Sequence, residues 1–274
     1  MFLNRPRRKF ISVDGHQLWC SEWNNNGEPL VLLHGGLSHT EKFEKPILPA
    51  VARNFHVYAY DRSAHGRTKI RNKFFNFDVQ AKELIAYLET VVKAPAHLIG
   101  YSDGANVGLL ASIKRPNLVK SLIGIGMNYT YKAGLNFKTF DFSVGEDEAA
   151  KFFALSGQNA ATLRKIKKKA FAVWKSEPKL KLSDLKKIKI PVLVVAADDE
   201  PFNSKMTFEM YEALPNGRLA VIPGSSHAVV HEKTKLLRSV IKDFYQNQSF
   251  PITKSPNRRA KRQQQIESAG STIN

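Results

Sequence analysis

The sequence has only one cysteine, Cys20, among its 274 residues. No disulfide can therefore form within the chain, and a reducing compartment is the simplest interpretation. Long apolar runs are also absent. The sequence has no stretch of about 18 apolar residues, which is the length needed to span a membrane. The first ten residues, MFLNRPRRKF, lack the apolar segment of a secretory signal. We therefore expect a soluble, cytoplasmic protein with Cys20 in its core.

Cofactor motifs are missing as well. The sequence contains neither a P-loop nor a dinucleotide-binding fingerprint, and no plausible cluster of metal ligands is evident. These absences predict a protein that needs no cofactor and no metal ion.

Acidic residues are scarce relative to basic ones. The chain has 24 Asp and Glu against 42 Lys and Arg, which gives a formal net charge of +18. Most of the excess lies in three segments, with net +4 in residues 1–10, +9 in residues 164–189 and +4 in residues 254–274. The rest of the chain is close to neutral. We therefore expect no nucleic-acid partner. The basic internal segment and the tail are the candidates for binding an anionic surface.

The sequence does contain an alternation of strand-like and helix-like segments. Apolar, β-branched runs bounded by turn residues predict strands, and segments with helical spacing of apolar residues lie between most of them. The predicted strands are 30–33, 55–60, 96–99, 121–126, 192–196 and 218–222, with an early antiparallel strand at 16–23. The predicted helices are 77–92, 106–114, 204–214 and 233–245. This order predicts an α/β fold with a mostly parallel sheet covered by helices on both faces.

The alternation stops between about residue 129 and residue 187. No strand pattern occurs there, and the segment 161–175 has one apolar helical face, with its basic residues largely off that face. We interpret residues 129–187 as a small helical cap. The periodicity ends after Tyr245, and the composition of residues 249–274 predicts a basic, disordered tail.

One short motif follows the predicted strand 96–99. Residues 100–104 read GYSDG, which places Ser102 between two glycines, after a strand and before a helix. Glycine is needed at the outer positions because side chains there would clash with the neighbouring strand and helix. The serine hydroxyl then lies at a helix N-terminus, where free backbone N–H groups favour negative charge. The motif predicts a nucleophile elbow with Ser102 as the nucleophile.

A serine nucleophile needs an imidazole to take its proton and a carboxylate to orient that imidazole. In this strand-end geometry both groups come from loops after later strands. His227 follows the last predicted strand, and the strand before it is followed by Asp198, Asp199 and Glu200. We therefore predict His227 as the general base, with three candidates for the acid.

Taken together, the motifs resemble the α/β-hydrolase family over residues 12–246. The matching segments are HGG at 34–36, DRSAHGRT at 61–68, GYSDG at 100–104, PVLVVAADDEPF at 191–202 and PGSSHAVV at 223–230. The elbow and the short cap are most similar to hydrolases of the valacyclovir hydrolase and proline iminopeptidase type. The resemblance implies a hydrolase core made of residues 1–128 and 188–248, with the cap 129–187 between its two parts.

The resemblance also implies roles for individual residues. Ser102 corresponds to the nucleophile and His227 to the general base and acid. The backbone N–H groups of Gly36 and Asp103 correspond to the oxyanion hole. For His34 we expect a structural role that fixes the oxyanion loop, rather than that of a second base. The side chain of Asp103 either contacts a cationic group of the substrate or is solvated.

The acid departs from the family pattern. Relatives carry G-x-x-D where this chain has Ala197, Asp198, Asp199 and Glu200. The aligned position is therefore Glu200, whose extra methylene requires the backbone to stand farther from His227. Asp199 and, less directly, Asp198 are the alternatives.

These features predict a metal-free serine hydrolase that cleaves a small carboxylic ester, or a lactone, thioester or amide, through an acyl-enzyme. Its expected partner is a small-molecule substrate. The alternative is a binding protein with a hydrolase fold, whose basic cap and tail engage an acidic partner or an anionic surface.

Overall fold

The structure is a computed structural model, and it describes residues 5–71, 75–135, 137 and 143–247. The predicted tail, residues 249–274, lies outside the described residues. The described strands form one eight-stranded sheet. They are β1 (Arg7–Val13), β2 (His16–Trp23), β3 (Glu28–Leu33), β4 (Phe55–Tyr60), β5 (Ala96–Tyr101), β6 (Val119–Ile125), β7 (Val192–Asp199) and β8 (Gly217–Ser226).

The strands lie in the order β1-β2-β4-β3-β5-β6-β7-β8. β2 runs antiparallel to β1 and to β4, whereas β4, β3, β5, β6, β7 and β8 are all parallel to one another. The predicted mostly parallel sheet with an early antiparallel strand is therefore confirmed. In a parallel sheet all strands end at the same edge, so the loops after β3, β5, β7 and β8 meet there.

Helices pack on both faces of the sheet. The described α-helices are α1 (Thr40–Val51), α2 (Phe77–Tyr87), α3 (Asp103–Lys114), α4 (Glu146–Ser156), α5 (Ala160–Trp174), α6 (Leu182–Leu185), α7 (Ser204–Ala213), α8 (Val229–Glu232) and α9 (Thr234–Gln246). Apolar residues of α2, α3 and α7 contribute to one buried cluster, and those of α1 and α9 contribute to the other. The central strands are buried on both faces for this reason, as the pattern of β5 shows.

β1 and α1 were not predicted, and both have an unusual sequence. β1 has the sequence RRKFISV and is exposed over most of its length. It is an edge strand, where charged residues are tolerated and no apolar alternation is required. α1 contains Pro46 and Pro49, which argue against a helix interior. Pro49 cannot donate to the Lys45 carbonyl, which accepts a hydrogen bond from Arg238 Nη2 at 3.3 Å instead.

The described part of the predicted cap contains α4, α5 and α6 together with a short 3₁₀ turn at Tyr131–Ala133. Lys167 of α5 donates to Glu148 of α4 at 2.9 Å, which joins the two helices. The division into core and cap at residues 129 and 187 stays a prediction. α5 ends at Trp174, which lines a cavity together with residues of the loops at the carboxyl edge of the sheet.

Candidate active site

Ser102 occupies a strained turn between β5 and α3. Its backbone has φ 52° and ψ −121°, a combination that L-residues rarely adopt. The neighbouring glycines allow the tight turn, because a Cβ at Gly104 would lie 2.2 Å from the carbonyl oxygen of Leu33. A Cβ at Gly100 would likewise lie 2.5 Å from the Cα of Ala105. The sequence therefore folds here as the predicted elbow, with α3 beginning directly after the serine.

The structure brings Ser102, His227 and Glu200 into one hydrogen-bonded series. His227 Nε2 lies 3.0 Å from Ser102 Oγ, and His227 Nδ1 lies 2.5 Å from Glu200 Oε2. The other oxygen of Glu200 accepts the backbone N–H of Ala197 at 2.9 Å. The Glu200 side chain is only 4% exposed, while that of His227 is 29% exposed. The carboxylate is thus shielded and fixed, and the imidazole faces the serine.

The two alternative acids lie elsewhere. Asp198 accepts the backbone N–H groups of Gly224 and Ser225 at 2.8 and 2.9 Å. These hydrogen bonds hold the pKa of Asp198 below its ordinary value. Asp199 is exposed at the end of β7. Asp198 therefore stabilises the loop that leads to His227 through these two hydrogen bonds. Of the three acidic residues, only Glu200 contacts the imidazole.

Further contacts hold the histidine loop in place. The hydroxyl of Tyr101 donates to the backbone carbonyl of His227 at 2.8 Å. Burial raises the pKa of Tyr101 to about 12, so the phenol stays protonated and remains a donor. Glu232 accepts both the N–H and the hydroxyl of Ser226 at 2.7 Å. The imidazole is thus positioned by its backbone as well as by Glu200.

Gly36 and Asp103, the two predicted oxyanion-hole residues, line the same cavity as Ser102 and His227. Gly36 approaches Asp103 so closely that a Cβ would lie 2.4 Å from Asp103 Oδ2. The same Cβ would lie 2.8 Å from an atom of the Trp174 ring. Only glycine fits here, so no side chain of residue 36 separates its backbone from the cavity.

The side chain of Asp103 is not solvated, in contrast to one of the two sequence-based expectations. It is 6% exposed, and both of its oxygens accept the Nε1–H of Trp174, at 2.9 and 3.0 Å. Burial raises the pKa of Asp103, and the charge of Arg62 opposes this effect. The expectation was wrong because the residue that covers Asp103 comes from α5, 71 positions later in the chain. A contact between Asp103 and a substrate stays a prediction.

The cavity in front of Ser102 has a volume of about 170 Å³. Its polar side chains besides those already described are Asn106, Asn128 and Glu177, and its apolar walls come from Phe77, Tyr101, Leu135, Trp174, Pro201 and Phe202. Asn106 donates to the side-chain oxygen of Asn128 at 2.8 Å, which fixes both amides. Glu177 accepts the backbone N–H of Phe77 at 2.9 Å.

Most of these wall residues were not predicted, because they belong to different elements. The available signals were the motif segments 100–104 and 191–202, which contain Tyr101, Pro201 and Phe202, and the apolar helical face of 161–175, which contains Trp174.

His34 lies under the loop that contains Gly36. Its Nδ1 is 2.8 Å from the carbonyl oxygen of Gly35, and its Nε2 accepts the backbone N–H of Arg62 at 3.1 Å. Burial lowers the pKa of His34 well below its ordinary value, so the ring is neutral. These contacts support the structural role expected for His34 rather than that of a second base.

Neither a metal site nor a membrane span is found among the described residues. No group of three or more His, Cys, Asp or Glu side chains in this part of the chain is arranged to hold a metal ion. Among the helices of the same residues, none combines the length and the hydropathy needed to cross a bilayer. The expected cytoplasmic location and the absence of a cofactor stay predictions.

Comparisons with known proteins agree with this fold. A family model described as "Alpha/beta hydrolase family" matches residues 30–237, which is more than half of the chain. The chain is 27% identical over 121 residues to a monoglyceride lipase of Rattus norvegicus, covering 41% of this chain and 40% of the lipase. It is 30% identical over 120 residues to the uncharacterized hydrolase YugF of Bacillus subtilis, covering 43% of each protein. The matched region thus spans less than half the length of these curated relatives.

Similar solved structures cover most of the chain. A serine hydrolase involved in carbazole degradation, the CarC enzyme, has a TM-score of 0.73 at 18% identity and covers 88% of this chain and 99% of that chain. The thioesterase domain from the curacin biosynthetic pathway has a TM-score of 0.66 at 16% identity and covers 87% and 98%. At these identities the likeness shows the fold alone. The narrower resemblance to the valacyclovir hydrolase and proline iminopeptidase type stays a prediction.

Proposed function

The chain belongs to the alpha/beta hydrolase family, and from this premise we propose that it is a serine hydrolase that cleaves small carboxylic esters through an acyl-enzyme. The hydrogen-bonded series from Ser102 through His227 to Glu200 is the observation that carries the proposal. It combines a nucleophile, a base within hydrogen-bond distance and a shielded carboxylate that orients the base.

Each residue has a defined part in the proposed reaction. Ser102 Oγ attacks the ester carbonyl carbon while His227 Nε2 takes the serine proton. The carbonyl oxygen becomes an oxyanion, which accepts the backbone N–H groups of Gly36 and Asp103. Glu200 stabilises the imidazolium, which then gives its proton to the leaving alcohol. Water hydrolyses the acyl-Ser102 ester by the same steps, with His227 taking a proton from the water and returning it to Ser102.

The cavity supports small, uncharged acyl groups. Its volume of about 170 Å³ is similar to that of an engineered protein cavity that binds benzene, roughly 150 Å³. Its lining contains the carboxyl groups of Asp103 and Glu177 but no lysine or arginine. A substrate acyl group with its own carboxylate would therefore be repelled. Lactones, thioesters and amides follow the same chemistry, and similar proteins include a lipase and a thioesterase.

The proposal is tested with a panel of p-nitrophenyl esters of increasing acyl length and with a fluorophosphonate probe. We expect turnover and labelling by the wild-type enzyme, with a preference for short acyl chains, and loss of both in Ser102→Ala without a change in Tm. Ser112→Ala is the matched control, because Ser112 is a buried serine of α3 that donates to the Gly108 carbonyl. Equal turnover in Ser102→Ala and wild type would rule out this mechanism.

A second candidate function concerns the basic surface of α5. Arg164, Lys165 and Lys168 are exposed, and within the described part of the chain none of them has a hydrogen bond or an ion pair. Arg164, Lys168 and Lys175 line one shallow groove together with Phe171 and Ala172. Basic residues beside apolar ones on a helix are typical of contacts with anionic lipid surfaces. We therefore also propose that α5 brings the enzyme to an anionic membrane surface.

Sedimentation with phosphatidylcholine vesicles, with and without phosphatidylserine, tests this second proposal. We expect binding only with phosphatidylserine, and loss of binding when Arg164, Lys165 and Lys168 are all changed to Gln. The matched control changes Lys42, Lys45 and Lys235 to Gln, which removes the same charge from exposed sites elsewhere. Deletion of residues 254–274 measures the contribution of the tail. Binding to RNA but not to vesicles would instead favour a nucleic-acid partner.

A further inference from the structure

A fully buried arginine lies under the loop that carries Gly36. Arg62 follows β4 and is 0% exposed. Arginine is almost never fully buried unless its charge and donors are satisfied, because removing them from water is costly. Its contacts therefore have to account for its position in the core.

Arg62 contacts the loop at three points. Its Nη2 donates to the carbonyl oxygens of His34 and Gly35, at 2.9 and 3.0 Å. Its backbone N–H donates to His34 Nε2 at 3.1 Å. The second terminal nitrogen of the guanidinium, Nη1, donates to the side-chain oxygen of Gln80. The guanidinium thus joins two successive loop carbonyls to α2.

The contact with His34 also fixes the position of the ring proton. Since His34 Nε2 accepts a hydrogen bond, the proton of the neutral ring is on Nδ1, which donates to the Gly35 carbonyl at 2.8 Å. The carbonyl of Gly35 therefore accepts two hydrogen bonds, one from the imidazole and one from Arg62. Both hold this oxygen on the buried side of the loop.

The orientation of this carbonyl determines that of the next N–H group. In a trans peptide the C=O and the following N–H point in opposite directions. With the Gly35 oxygen held toward Arg62, the Gly36 N–H points away from Arg62, and Gly36 lines the cavity beside Ser102. A rotated peptide would instead present the carbonyl oxygen to the developing oxyanion and repel it.

We propose that Arg62 is a positioning residue that holds the Gly35–Gly36 peptide with its N–H directed at the oxyanion. The proposal rests on the proposed serine hydrolase function. Arg62 touches no reacting atom, since its contacts are with the loop carbonyls, His34 and Gln80. Its effect should therefore appear in the step that develops negative charge, and much less in substrate binding.

The test compares Arg62→Gln and Arg62→Lys with the matched control Arg71→Gln. Arg71 also holds two carbonyls of a turn, those of Val13 and Asp14, at 3.0 and 2.7 Å, and does not line the cavity. Removing an oxyanion-hole donor costs about 10²–10³-fold in kcat, and for the misdirected donor of Arg62→Gln we expect a loss of about 10–100-fold. KM should change little. Lysine keeps the charge but not the planar fork, so we expect an intermediate loss.

A boronic acid that forms a tetrahedral adduct with Ser102 gives a readout that a purely structural role would not move. Its affinity should fall by the same factor as kcat in Arg62→Gln, while the pH dependence of kcat/KM keeps its shape. Ser102→Ala is the negative control for adduct formation. Arg71→Gln should lower Tm without changing kcat or boronic acid affinity.

Several outcomes would overturn the inference. A folded Arg62→Gln with wild-type kcat and boronic acid affinity would remove the basis for it, and so would an equal loss of kcat in Arg71→Gln. If neither Arg62 variant folds, the arginine holds the fold rather than the peptide. If the wild-type protein hydrolyses no ester, it is the proposed function that fails instead.

Discussion

The role of Glu200 depends on which groups its carboxylate contacts in the folded protein. Three acidic side chains follow one another along the chain, yet each has a different environment: Glu200 contacts the imidazole, Asp198 fastens the histidine loop and Asp199 is exposed. The pairing of β7 with β8 is irregular between Ala197 and Asp199, so strand alternation alone does not tell which of the three carboxylates reaches the imidazole.

Glu200→Gln should therefore be the damaging change. The amide keeps the shape of the site but cannot stabilise an imidazolium, so we expect kcat to fall by about 10³–10⁴, as in other triads with a neutralised acid. Steady-state kinetics on the preferred p-nitrophenyl ester provides the measurement. Asp199→Asn is the control and should cost less than about tenfold, because an exposed charge acts weakly at a distance. If Asp199→Asn proved the more damaging change, the acid would have to be reassigned.

At the scale of elements, one side-chain contact joins α5 to the start of α3. Trp174, the last residue of α5, donates its indole N–H to the carboxylate of Asp103, the first residue of α3. Asp103 adjoins the nucleophile and has little solvent contact. The position of the helical segment over the cavity and the environment of the elbow are therefore coupled.

We expect Trp174→Phe to break this coupling. Phenylalanine fills much of the same space but has no donor, so the buried carboxylate of Asp103 loses a hydrogen bond at a cost of about 1–3 kcal/mol. Urea denaturation should show that loss, and KM should rise more than kcat falls because Trp174 lines the cavity.

Asp103→Asn is the appropriate background for a double-mutant cycle. Without the negative charge, the loss of the indole donor should be less costly, so Trp174→Phe should destabilise Asp103→Asn less than it destabilises the wild type. Equal destabilisation in both backgrounds would mean that the indole acts only through packing.

For the whole molecule, stability should depend on pH through a buried carboxyl group that lies away from the site. Glu44 of α1 pairs with Arg8 of β1 and is 7% exposed. Burial raises the pKa of Glu44 from 4.5 to about 7. The native state therefore binds this proton more tightly than the unfolded state does. As pH rises from 4.5 to 7, the unfolded chain ionises first and the free energy of unfolding decreases.

Glu44→Gln removes this contribution, since glutamine does not ionise and can still accept from Arg8. The Tm of the variant minus that of the wild type should increase between about pH 5 and pH 8. Thermal denaturation across this range measures it. Glu89→Gln, which removes a carboxylate from an exposed ion pair with Arg115, controls for net charge. A difference that stays constant with pH would show that Glu44 does not titrate in this window.

The sequence alone determined the features that depend on local spacing. The alternation of apolar runs and helical segments predicted the parallel sheet, because buried strands and amphipathic helices have different periods. The glycines around Ser102 predicted the elbow, because their requirement comes from the turn itself. α1 and β1 escaped prediction where prolines and edge charges hid the pattern, and their formation depends on contacts such as that of Arg238 with Lys45.

Only the tertiary structure decided which groups meet. Ser102 and His227 are 125 positions apart, and Trp174 and Asp103 are 71 positions apart. Their distances depend on strand register, on loop length and on the position of α5, none of which a local pattern encodes. The choice of Glu200 over its neighbours, the burial of Asp103 and the arginine beneath the loop at Gly36 follow from that packing.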